Sequence, residues 1–337
     1  MPAMTNATQT VRRRLRHLLS RRPLEPIVVA VRRTDYERRR VLRRIRSGRV
    51  PRVDPNLETA LGDLRRDGFV VLRGHTPLPL VARALGEFEA FLASPTALAA
   101  VQDDAALAAS GEDGIGPCLD AEEIEAGPEH YRLRTNTVSV AEPLLRCPTA
   151  FELAFDPTTL ALAAAYLRCP AAVTAVDLRR SFVNNIPGVG DLYSFHSDPN
   201  SVRLLKCFTY LNDVDDVGGP LLYVRGSHRH RPHGWTGKYL WTRDEMADRY
   251  GADQVVAVTG RAGDVIIADT SGFHTGSKPR TQDRSALVVN HVVHKELNGR
   301  HPWLQVQTEA VGRLDPAQRR AADLLRVVPG GGGSDAA

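Results

Sequence analysis

Apolar and polar positions alternate along the chain in two different rhythms. Between residues 54 and 170 the spacing is helical. Leu57, Leu61 and Leu64 form one stripe, opened by Asp54-Pro55 as N-cap and first helical proline and closed by Gly68. A second helix is predicted over about 80–92. A third opens at Asp156-Pro157 and runs through LALAAAYLR. FVVLRG, after Gly68, reads as a short strand. From about residue 172 onward the period falls to two: AVTAVDLRRSFVNN, LYSFH, VRLLKCFTYL, PLLYV, QVVAV, GDVIIAD and SALVVNHVV are short β runs with glycine, proline and aspartate between them. Strands in such close succession predict a sandwich or barrel instead of βαβ units. One helix interrupts them, with Thr242 to Glu245 (TRDE) as its capping box. The alanine-rich acidic stretch over about 95–125 has no clear period and reads as a lid or loop.

Composition is that of a folded globular protein: 337 residues, 42% hydrophobic and 25% charged. No run approaches the roughly 20 apolar residues of a membrane span, and the first residues lack the apolar segment of a secretory signal, so a cytoplasmic location is expected. Cys118, Cys147, Cys169 and Cys207 lie too far apart for a zinc knuckle or a disulfide framework and are expected to be free thiols.

Charge is unevenly spread. Residues 11–50 carry 15 arginines against Glu25, Asp35 and Glu37, a local +12 in a chain whose total is +5. Val11, Leu15, Leu18 and Leu19 fall at helical spacing, and TDYE at Thr34 to Glu37 opens a second helix. The segment is read as a solvated helical extension. Without aromatic stacking residues or a nucleic-acid motif, its arginines argue against a nucleic-acid partner.

Within FHSD, His196 and Asp198 stand two apart, so on a strand both point to one face. Taken alone, the pair is a weak signal. Seventy-eight residues after His196, His274 follows GDVIIAD at a strand start, and Arg284 comes ten residues later. Two imidazoles and a carboxylate on one side of a metal leave open positions, the arrangement of non-haem Fe(II) oxygenases. An arginine beside them can hold a carboxylate through two bonds. On LKCFTYL, Lys206, Phe208 and Tyr210 alternate with Cys207 and Thr209 and mark a candidate inner wall. The cluster His228, His230 and His233 lacks a nearby carboxylate or thiolate and reads as an exposed basic loop; His291 and His294 are not expected as ligands.

LRRDGFVVLRG, FHSD, FTYLNDVDDVGGPLLYVRGSH, GDVIIADTSGFHTG and DRSALVVNH together resemble the phytanoyl-CoA dioxygenase family of Fe(II)/2-oxoglutarate oxygenases, over about Leu57 to His294. Arg225 departs from the proline usual at that point of the family's turn. The resemblance implies an α+β, mainly β fold: a double-stranded β-helix (jelly roll, cupin-like) with buttressing helices beside the Arg-rich N-terminal extension. Charge, spacing and composition add to this an expected organisation: a helical extension over 1–53, the dioxygenase domain over 54–300 with its jelly-roll core at about 172–295, and a C-terminal segment over 301–337 ending in a disordered Gly-rich tail. The resemblance also implies His196, Asp198 and His274 as iron ligands, Arg284 on the distal carboxylate of 2-oxoglutarate, and Phe208 flanking that co-substrate, with Fe(II), 2-oxoglutarate and O2 as cofactor and co-substrates. The expected reaction is hydroxylation of a C–H bond in a small molecule (a secondary metabolite, amino acid or acyl compound), releasing succinate and CO2. Arg280, inside the turn SKPRTQD, is the weaker competitor for Arg284. Two further readings stay open: a cupin-type metal enzyme without 2-oxoglutarate, and a non-catalytic jelly-roll module acting through the basic N-terminal helices. The sequence leaves the oligomeric state open.

Overall fold

The computed structural model describes residues 53–93, 101–103, 136–140, 142–185, 194–198, 204–230, 240–292 and 304–329. The Arg-rich segment, Cys118, His233, His294, the Gly-rich tail and most of 95–135 lie outside the described residues.

The helical half follows the predicted signals. Asp54 accepts from the amide of Asn56 and opens a 3-10 turn, Pro55–Leu57, which leads into α1 (Glu58–Asp67). Gly68, at φ +90°, ends α1 in the left-handed region that favours glycine and turns the chain into β1 (Phe69–Leu72). Next come α2 (Leu78–Leu92), β2 (Val101–Asp103), β3 (Thr137–Val140), α3 (Pro143–Arg146), α4 (Pro148–Ala154) and α5 (Pro157–Leu167), whose cap Asp156 accepts from the Thr159 amide. The β-rich half holds β4 (Ala172–Ser181), β5 (Leu204–Tyr210), β6 (Leu221–Val224), α6 (Arg243–Tyr250), β7 (Val255–Val258), β8 (Val265–Asp269), β9 (His274–Gly276) and β10 (Arg284–Val292). Thr242 and Glu245 form both bonds of the capping box on α6. At the C-terminal end stand β11 (Gln305–Gln307), α7 (Thr308–Gly312), α8 (Pro316–Ala321) and β12 (Arg326–Val328).

An antiparallel sheet runs in the order β1-β8-β5-β10-β4-β3-β2, and a smaller antiparallel one in the order β7-β6-β9. Their facing sides meet in one cluster: Tyr210, Ile266, Ala268 and Ala286 of the large sheet against Leu221, Tyr223 and Val258 of the small one. The Tyr210 hydroxyl ties the two together, donating to Val258 O at 3.0 Å and accepting from the Leu221 amide at 3.2 Å. This mixed α/β arrangement with a large antiparallel sheet is consistent with a jelly-roll oxygenase.

The other face of the large sheet is covered by helices. Leu205, Cys207, Val265, Ile267, Leu287 and Val289 share a continuous apolar core with Leu64, Phe88, Leu162 and Leu167. Alternation therefore sends odd-numbered residues of β5 to the helices and Lys206, Phe208 and Tyr210 to the inner side, as expected. Residues 304–329, expected as a segment following the oxygenase unit, pack onto it: Val306, Ala310, Leu314, Ala321, Ala322 and Leu325 enter the helix-side core. Cys147, Cys169 and Cys207 are buried and form no disulfide among the described residues.

One strand expectation is corrected. LYSFH does not form a strand among its described residues; Phe195 and His196 make only single bridges, to Trp241 and His274. The stretch is too short, with a turn signal directly behind it, to sustain a ladder.

Candidate metal centre

That bridge replaces strand alternation as the device that aligns the site. His196 N donates to His274 O and His274 N to His196 O, both at 3.0 Å, so two residues 78 apart become directly opposed partners. Directly opposed residues present their side chains on one side, and the imidazole centroids lie 4.5 Å apart. Asp198 is pinned separately, its amide donating to Thr270 O at 2.9 Å.

Each imidazole is held by its far nitrogen. Nδ1 of His196 lies 2.9 Å from Ser194 O, and Nδ1 of His274 lies 3.0 Å from Gly272 O. A carbonyl can only accept, so each Nδ1 carries a proton and Nε2 is the nitrogen left to face a metal. Both Nε2 atoms face Asp198: that of His196 is 3.8 Å from Oδ1 and that of His274 is 3.7 Å from Oδ2, too far for hydrogen bonds. One ligand atom from each residue lies within 4.8 Å of the other two. Backbone carbonyls that orient ligating imidazoles are the usual outer support of a metal site.

The electrostatics agree. Burial by itself would raise the Asp198 carboxyl, but the Lys206 ammonium, with His274 and His196, holds it well below the usual carboxylate range. His274 is pushed down to about 3 by burial, the neighbouring His196 and Lys206, so it is neutral at physiological pH. An anionic carboxylate and a neutral imidazole are the forms a metal needs. Lys206 Nζ stands 2.9 Å from Asp198 Oδ2, yet off the hydrogen-bonding direction, so this buried oxygen has an ionic neighbour and no aligned donor. An orphaned carboxylate oxygen and two imidazole Nε2 atoms aimed at one point fit a divalent cation.

Arg284 is buried at the start of β10, with 8% of its surface exposed. Since Asn290 pairs with Lys206, the alternating residues Val288, Ala286 and Arg284 share the inner face with Lys206. Its Nη1 donates to Gly219 O, and Nη2 donates to Ser181 Oγ at 3.1 Å. Arg280 is exposed in the preceding turn, where its amide donates to Val217 O. Phe208 is half-buried on the inner wall, opposite Val288 and Ile266. Arg225 is exposed, its Nε 4.0 Å from Asp67 Oδ1. His228 lies half-buried against the Arg65 carbonyl and His230 is exposed, both away from the triad; His291 is fully buried on the helix side with its Nδ1 3.5 Å from Cys207 Sγ.

Sequence reasoning placed Lys206 on the inner wall but not at the carboxylate. The available signal was its oddity: it is one of four lysines in a chain with 40 arginines, and the only charged residue of its strand.

The family model described as Phytanoyl-CoA dioxygenase (PhyH) matches residues 64–286. The ectoine dioxygenase of Stutzerimonas stutzeri (strain A1501) is 28% identical over 145 residues, which cover 34% of this chain and 47% of that protein. The chain thus matches about half the length of this curated relative. Among solved structures, EctD from S. alaskensis with 2-oxoglutarate and 5-hydroxyectoine superimposes with a TM-score of 0.50 at 20% identity, over 83% of this chain and 95% of that one. The same protein with bound Fe gives 0.50 at 20% identity, over 84% and 89%. These two structures are likenesses of fold. The family match spans most of the chain and contains His196, Asp198, His274 and Arg284, and the protein belongs to the phytanoyl-CoA dioxygenase family.

Proposed function

We propose that the protein is a non-haem Fe(II)- and 2-oxoglutarate-dependent dioxygenase that hydroxylates a C–H bond of a small molecule, with release of succinate and CO2. The observation that carries this reading is the convergence of His196 Nε2, His274 Nε2 and the orphaned Asp198 oxygen on one buried point. Those three residues would hold the iron, whose role when bound is to bring dioxygen and the oxo acid into reaction.

The chain's own residues supply position. Arg284 anchors the far carboxylate of 2-oxoglutarate. Gly219, which binds Arg284, stands four residues before Tyr223, the strand partner of His274, so the two ends of the site lie at most about 13 Å apart along the chain. An extended arginine side chain and a five-carbon diacid together cover that span. Phe208 and Val288 form an apolar stretch of wall between Lys206 and Arg284 and keep water from the co-substrate. On β4, Asp177 and Arg179 pair with Val288 and Ala286 and so line the same inner face; with Ser139 of β3 they offer polar groups to the substrate.

The two facing sheets are read as the walls of a double-stranded β-helix. Residues 1–53, of which only Val53 is among the described residues, are read as taking no part in the reaction. Among the described residues no helix is long and apolar enough to cross a membrane, and a cytoplasmic location remains part of this reading.

The test is iron-dependent succinate release from 2-oxoglutarate by the purified chain, abolished by chelation and restored by Fe(II). Turnover that persists after complete metal removal would contradict it. A metal enzyme without 2-oxoglutarate is the second reading, favoured by one observation: Arg284 already has protein acceptors in Gly219 and Ser181. Iron binding without any oxoglutarate consumption would select it.

A further inference from the structure

We infer that Lys206 is a displaceable counter-cation of the metal-free centre: its ammonium balances Asp198 until a divalent ion takes over, and metal binding drives it towards Asn290. This rests on the reading that His196, Asp198 and His274 hold a metal.

The competition is set by one oxygen. Asp198 Oδ2 is the atom 2.9 Å from Lys206 Nζ and also the atom 3.7 Å from His274 Nε2. It faces the ammonium and the shared centre together. An ion bound there would lie within a few ångströms of Nζ. Repulsion between a single and a double positive charge at such range is strong, and a site whose carboxylate is only 9% exposed screens it poorly. The two cations cannot both sit on Oδ2 at low energy. Lys206 has no aligned hydrogen bond to give up there, because the contact is purely ionic.

A destination exists. Asn290 on β10 is directly opposite Lys206 in the ladder, on the same face, and is itself buried. Directly opposed β-carbons are about 5 Å apart, so a change of lysine rotamer brings Nζ to the Asn290 side-chain oxygen. Lysine suits this role because its ammonium is a point charge on a flexible stem; the planar fork of arginine would bind the carboxylate more firmly.

The opposite assignment, Lys206 as a permanent clamp that orients Asp198 for the metal, predicts the opposite sign. The experiment strips the full chain with EDTA and titrates it with Co(II), followed by visible absorption, for wild type, Lys206→Met and Lys206→Arg. The metal-free proteins are melted in parallel. Lys206→Met should bind Co(II) at least ten-fold more tightly and melt at a lower temperature than wild type when metal-free. Lys206→Arg should bind no more tightly than wild type. Equal or weaker Co(II) affinity in Lys206→Met, or a metal-free melting temperature at or above wild type, overturns the role given to Lys206 and leaves the metal site standing. A wild-type chain that binds no Co(II) contradicts the metal site itself and takes this inference with it. Should Lys206→Met not fold, Lys206→Gln is read by the same criteria.

Discussion

The hydroxyl of Tyr166, on α5, donates to Oδ2 of Asp269 across 2.5 Å, at the point where β8 ends and the turn carrying His274 begins. The other oxygen of Asp269 accepts from Ser271 N and Oγ, and its carbonyl accepts from the Tyr223 hydroxyl. Asp269, through its carboxylate and its carbonyl, thus fixes the helix layer, both sheets and the metal turn. Tyr166→Phe leaves part of that carboxylate unsatisfied and should cost about 1–3 kcal/mol. Urea unfolding measures the loss, and the same variant should bind metal more weakly because His274 is less firmly placed.

Replacing any of His196, Asp198 or His274 by Ala removes one of three protein ligands. Each variant should lose most of its Fe(II) affinity, as read by calorimetry on the anaerobic protein. Asp198→Ala is the most informative, because it also strips Lys206 of its counter-charge. A variant that retains wild-type affinity would mean that the ion sits elsewhere.

Arg284 and Arg280 should separate sharply. A guanidinium holding a carboxylate in a largely dry pocket contributes on the order of 2–5 kcal/mol when its removal strands the partner, an exposed one roughly 0–1. Arg284→Ala should raise the Michaelis constant for 2-oxoglutarate about 30-fold or more, and Arg280→Ala less than about five-fold. Arg284→Lys should rescue only in part, because an ammonium cannot reproduce the fork. Saturation curves for the three variants decide the matter.

Much of this site is legible in the chain itself. His196 and Asp198 give a weak signal by spacing, which gains weight from His274 and Arg284, and GDVIIAD sets His274 at a strand start, where β9 begins. Asp54, Asp156 and Thr242 mark helix starts through their side-chain caps. Other features have no local signature. β3, TVSV, alternates polar and apolar over only four residues, all of them buried, and the short α3 and α4 are likewise too brief to display a period. The alignment of His196 depends on a two-residue bridge to His274, and the contact of Lys206 with Asp198 depends on the depth of one side chain inside the sheet pair. Both are tertiary facts. The partners of Arg284, Gly219 and Ser181, lie 65 and 103 residues away.

His291 should leave a trace in the acid limb of stability. Burial pushes its imidazole down to about 4, against 6.5 when unfolded. The folded protein therefore takes up fewer protons than the unfolded chain between those values, and the stability contributed by neutral His291 is lost as pH falls from about 6.5 towards 4. His75, raised by its bond to Asp156, works in the opposite sense and favours the fold below about 6.5. Melting curves of His291→Gln should show a shallower loss than wild type across that window. An unchanged slope would assign the acid limb to other groups, His274 among them.

Removing residues 304–337 should destabilise the whole fold, because Val306, Ala310, Leu314, Ala321, Ala322 and Leu325 belong to the helix-side core. The apolar surface they cover would be opened to water at roughly 25 cal/mol per Å². Thermal melts of the truncated chain should shift down by several degrees or more, with the metal site failing in the same transition.

The Tyr223 hydroxyl is lodged between two backbones. A β-carbon on Gly272 would fall 2.1 Å from it and one on Gly68 only 2.4 Å away. These three positions, 68, 223 and 272, therefore cannot drift independently. In any descendant or cousin of this chain, a side chain at Gly272 should be accompanied by a residue smaller than phenylalanine in place of the tyrosine, because the ring carbon Cζ would itself lie 2.7 Å from the new β-carbon; Gly68 is held in addition by its φ of +90° and by His228 Nδ1, 2.5 Å from a β-carbon there. An ancestral substitution at Tyr223 would have had to come first. Mutational order, and not only mutational content, is thus written into the turn that carries His274.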